Sequence, residues 1–150
     1  MDPVEIIRDG ERTYAYLIRA GWTPAATTFL TPDHLGQQIG MIVCAAGQEI
    51  TPHLHRPIVR QVEGTSECIV VRQGACTLDI YDADRALVTS RALAVGDIVL
   101  LLDGGHGFRM QRDTVLFEVK QGPYAGARDK ERFERPGRLP ESAGPGGSAP

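Results

Sequence analysis

A succession of short apolar runs, each closed by turn-forming residues, constrains this 150-residue chain more than any other feature. Thr13 to Arg19 reads as a strand and is ended by Gly21. Ala26 to Leu30 and Gln38 to Cys44 flank the turn Thr31-Pro32-Asp33. Glu67 to Val71, Cys76 to Tyr81, Ala86 to Ser90, Ala92 to Val95, Ile98 to Leu102 and Asp113 to Val119 follow. Asp82-Ala83-Asp84 and Gly96-Asp97 supply the turns among them. Period-two alternation bounded by Gly, Pro and Asp is the pattern of half-buried strands. Helical periodicity is scarce, with one turn expected over Arg128 to Phe133 after the Gly122-Pro123-Tyr124 break. An all-β sandwich or barrel is therefore expected.

The length suits one domain, expected over residues 1–135. From Pro136 to Pro150 the chain turns to Pro, Gly, Ser and Ala, too poor in apolar bulk to offset its ordering entropy. A disordered tail is expected over 136–150. Net charge is −3 with no basic block, which argues against a nucleic-acid partner. No apolar run is long enough to cross a bilayer, and Met1 to Glu5 lacks signal-peptide character. Cys44, Cys68 and Cys76 are odd in number without CxxC spacing, so free thiols and a cytoplasmic setting are expected. All three read as small buried hydrophobes, with Cys44 the one that could reach a pocket.

Four Lewis bases stand out. His53 and His55 are two apart, so on an extended segment they point the same way. Glu67 opens an apolar run, where an ionised carboxylate needs a partner. His106 follows the run Ile98 to Leu102 and the turn Asp103-Gly104-Gly105. Together they read as ligands of one divalent transition metal, Zn or Fe(II) first, with Mn and Ni as alternatives. The plainer readings are a solvated His pair, an ion pair from Glu67 to Arg60 or Arg72, and a locally hydrogen-bonded His106.

This constellation resembles the cupin family. Gly47, five residues, His53-x-His55, then Glu67, six residues and Gly74 follow its first motif, with a longer gap from His55 to Glu67. Gly96, Leu102, Gly104 and His106 approximate its second, with Leu in place of Pro and one residue fewer before the His. The resemblance spans about residues 40–120. It implies a double-stranded β-helix, or jelly-roll barrel, with N-terminal strands covering one face and a 3-His/1-Glu metal site. A homodimer is expected, since the outer set Cys68, Val70 and Ile80 wants cover.

The segment Arg56 to Thr65 fills the long gap between ligands and is expected to act as a lid or pocket wall. Within it Glu63 is the expected general acid or base and Arg60 the grip for a substrate carboxylate. Gln61, an inward Gln38, and Phe108 and Met110, which share the strand parity of His106, are expected to line the pocket. The expected function is metal-dependent chemistry on a small polar metabolite in a biosynthetic setting, non-oxidative in type. An Fe(II)-dependent cupin dioxygenase is one alternative. Others are a non-catalytic metal- or sugar-binding cupin and a metal-free nucleotide-sugar epimerase or ketoisomerase.

Overall fold

A computed structural model describes residues 2–136, so the expected disordered tail lies, Pro136 apart, outside the described residues. The described residues form ten strands: β1 (Val4–Asp9), β2 (Arg12–Ile18), β3 (Thr28–Phe29), β4 (Gly40–Met41), β5 (Glu67–Gln73), β6 (Ala75–Tyr81), β7 (Leu87–Ala94), β8 (Ile98–Leu101), β9 (Gly105–Met110) and β10 (Val115–Lys120). A single 3-10 turn, Gly126–Arg128, replaces the helical turn expected a little later.

The strands make a five-stranded sheet in the order β1-β2-β8-β5-β10, a three-stranded sheet β7-β6-β9, and the small ladder β3-β4. Every pairing is antiparallel. Alternate residues of both larger sheets meet in one core. Ala15 and Leu17 of β2, Ile69 and Val71 of β5, and Val99 and Leu101 of β8 come from one sheet. Cys76, Leu78 and Ile80 of β6 and Leu93 of β7 come from the other. Strand pleating sends every second side chain into this core, while the opposite positions of β2, β6 and β8 are largely buried as well. Neither sheet closes on itself.

Three expectations are corrected here. The N-terminal strands do not lie over a face; β2 pairs with β8 and extends the larger sheet, because its alternate residues Ala15 and Leu17 belong to the core. Ile80 is not an outer residue but part of that core, while Cys68 and Val70 are half-buried. Gln38 and Cys44 do not point inward. Both are exposed, and the Gln38 amide instead donates to the Pro32 carbonyl at 2.9 Å, closing the local turn. Cys76 is buried and Cys68 half-buried, and burial pushes both thiols up.

The face of β6 turned away from the core holds a buried acid. Asp79 accepts two hydrogen bonds from the Arg109 guanidinium at 2.9 Å each and one from the Ser90 hydroxyl at 2.6 Å; Arg135 lies 3.1 Å away. The Arg109 hydrogen bonds, above all, hold the Asp79 carboxyl below the usual carboxylate range despite its burial. A depressed pKa stabilises the fold above the ordinary value of about 4 and is lost as pH falls through the lowered one. Asp79→Asn is therefore expected to lower the melting temperature at neutral pH. That gap should close in acid, a trend read by thermal melts across a pH series.

Candidate functional site

A cleft of about 1230 Å³ opens at one end of the two sheets. Its walls include Glu67 of β5, His106 and Phe108 of β9, and Leu116 of β10. Glu67 is placed there by register: it pairs with Lys120 and Leu101, at the end of a strand whose alternate residues Ile69 and Val71 are core. The pleat that buries those two turns the Glu67 carboxylate inward as well, leaving its side chain 5% exposed.

His106 arrives from the other sheet. Gly104 turns the chain at φ +71°, a conformation that costs glycine little, and brings β9 antiparallel to β6 with His106 opposite Ile80. Its Nε2 stands 3.0 Å from Glu67 Oε2. The other carboxylate oxygen, Oε1, lies 3.1 Å from Lys130 Nζ. Both oxygens of a buried carboxylate are thus satisfied, as burial of a charge requires. The plainer reading of Glu67 as an ion pair named Arg60 and Arg72; its partners are instead Lys130 and the His106 imidazole.

The other expected ligands lie elsewhere. His53 and His55 have ring centroids 5.2 Å apart, and His53 Nδ1 is 2.9 Å from the Thr51 carbonyl. Both sit in the segment 42–66, which joins β4 to β5 without strand pairing among the described residues, and every residue from 42 to 65 is exposed. Arg60, Gln61 and Glu63 share that segment and stand in solvent; only its root, Gly64 and Thr65, reaches the cleft. Residues 56–63 of the expected lid do not line the cleft. Phe108 lines the cleft, whereas Met110 is 54% exposed and does not line it.

As donors, a carboxylate and an imidazole suit a divalent cation in kind. In number the set is incomplete: among the described residues no group of three or more His, Cys, Asp or Glu side chains stands where it could hold a metal ion. One chain as it stands assembles half of the expected quartet.

The segment 128–135 was not anticipated as part of the site. It crosses the cleft wall, setting Lys130 on Glu67 and packing Phe133 edge-on against Tyr81 with centroids 5.2 Å apart. Arg85 pairs with Glu131 at 2.5 Å and lies over the Phe133 ring. The lone aromatic at Phe133 within a charged run is the one sequence signal that this stretch docks.

No helix among the described residues is long and apolar enough to cross a membrane. Comparison of the chain with protein-family models, with curated proteins and with solved structures finds no match.

Proposed function

We propose that the chain is a metal-dependent enzyme of the cupin kind, whose two sheets are the halves of a jelly roll. In this reading Glu67, His106, His53 and His55 hold one divalent ion, Zn or Fe(II), and a small polar metabolite is turned over in the cleft without oxidation. The observation that carries the reading is the buried Glu67 carboxylate on the His106 imidazole, from opposite sheets, in the wall of a large cleft. A resident divalent ion would supply Lewis-acid polarisation of a chelated substrate. Phe108 and Leu116 would wall the substrate from water on the core side. The three cysteines, free in this fold, accord with a reducing, cytoplasmic setting.

A second reading, metal-free proton transfer, is favoured by one specific contact: Lys130 already neutralises Glu67 within a single chain. Here Glu67 and His106 pass a proton to and from a bound substrate and Lys130 steadies the anionic form. Protein purified without added ions, then stripped with chelator and reloaded, separates the readings. The metal reading expects about one transition-metal ion per chain in the purified protein and no oxygen uptake on Fe(II) loading. Oxygen consumption would move the reading to a dioxygenase. A protein that takes up no ion would leave the proton-transfer reading in its place.

A further inference from the structure

The arm 42–65 is the least explained part of the molecule. It is long for a connection inside a compact domain, and it contains Ile50, Leu54, Ile58 and Val59 at 63%, 95%, 64% and 100% exposure. Apolar side chains gathered on one segment in water mark a surface made to be covered. The body of the protein has a matching gap. β9 and β10 are the end strands of their sheets, both contribute to the cleft wall, and the outward face of β10 shows Val115, Phe117 and Val119 about half exposed. A strand edge left open in this way invites another extended segment.

Resting on the metal-centre reading above, we infer that the arm is exchanged between two copies of this chain. Each copy lays its residues 42–65 along the open β9 and β10 edges of the other, so that His53 and His55 of one chain meet Glu67 and His106 of its partner. The occupant is a second copy because the arm leaves its own body just beyond its root. Ser66 is fixed by Gln121 and Gln37, but through the rest of the arm the side chains are exposed. The half-site that one chain lacks is the half-site it holds out. Exchange of an identical element closes such a pair with two-fold symmetry and no new surface. Each cleft then contains donors from two chains, and neither chain alone makes a complete site.

Complementation of two defective full-length chains tests this directly. One variant has His53→Ala and His55→Ala; the other has Glu67→Gln and His106→Ala. Each alone should bind no Zn2+ at the site. Refolded together in equal amounts, half of the pairs are mixed and one of their two clefts is whole, giving about a quarter of the wild-type Zn2+ per chain. Wild-type binding with no Zn2+ recovered in the mixture overturns the exchange and leaves the metal reading standing. Two further readouts do not depend on metal: the wild-type mass in solution, expected to be that of a dimer, and tryptic cleavage after Arg60, expected to be slow. A monomer, or a dimer whose arm is cut at once, overturns the exchange. A dimer with a protected arm and no Zn2+ uptake keeps the exchange and removes the metal reading instead.

Discussion

Glu67→Gln is expected to fold normally and to lose metal affinity by at least about a hundredfold. The amide keeps the volume of the carboxylate and its place at the end of β5, so the Ile69 and Val71 packing behind it is untouched. What it loses is charge. Lys130 is about half exposed and can turn to water when its partner becomes neutral, so the structural cost is small, about 1 kcal/mol. For a cation the same change removes its one anionic donor, and this effect dominates. Calorimetric titration with Zn2+ beside a chemical-denaturation curve reads both quantities on one preparation. Loss of folding in proportion to loss of binding would make Glu67 a structural ion-pair residue and nothing more.

Gly104→Ala is expected to destabilise the protein by about 3 kcal/mol, the largest effect on folding anticipated for any site residue. Two costs coincide there. The backbone φ of +71° strains any residue with a Cβ, and that Cβ would meet the Tyr81 carbonyl oxygen and approach the Tyr14 ring to 2.9 Å. Both neighbours are buried and belong to other strands, so neither can give way cheaply. Gly10 provides the comparison: its φ is +56°, but a Cβ there meets nothing within 4 Å. Gly10→Ala should therefore cost about 1 kcal/mol, the backbone strain alone. Urea denaturation of the two variants measures the difference. Equal losses would show that the close approach of β6 and β2 to this turn does not matter. Because Gly104 lies two residues before His106, its replacement should also loosen the imidazole from Glu67 and weaken Zn2+ binding beyond the loss in stability.

Much of this architecture is written in local patterns, and the rest depends on contacts between distant residues. The runs now seen as β2, β5, β6, β8 and β10 are short, rich in apolar, β-branched or aromatic residues, and bounded by turn signals, a pattern that can be read locally. The Asp82 turn was legible for the same reason, since its side chain accepts from the Asp84 and Ala86 amides at 2.9 and 2.8 Å and holds the hairpin locally. β1 was not legible as a strand, and β9 could be read only through the shared parity of His106, Phe108 and Met110. Val4–Asp9 has charges at three of six positions, and Gly105–Met110 has two glycines; β1 is extended by its hairpin pairing with β2, and β9 by its pairing with the more distant β6. The reverse happened at β3 and β4, where longer runs looked extended but only two residues of each pair.

The site divides along the same line. Glu67 and His106 could be read because one opens a well-marked apolar run and the other follows a well-marked turn, and the fold does bring them to 3.0 Å. Lys130 could not, since a charged run beside a 3-10 turn looks like any solvated surface until Phe133 is seen against Tyr81. For His53 and His55 the spacing reveals that they face the same way but not which cleft they face. Spacing within one chain has no means of saying whether a ligand serves its own fold or another's.

The central claim is that Glu67 and His106 are two donors of a single metal centre. Anomalous diffraction at the Zn edge, from crystals grown with Zn2+, tests it most directly. The account predicts a peak about 2.0 to 2.2 Å from a Glu67 carboxylate oxygen and the His106 imidazole, with Lys130 displaced and two further imidazoles completing the shell. Full Zn2+ occupancy elsewhere on the protein, with Lys130 still seated on Glu67, would contradict it.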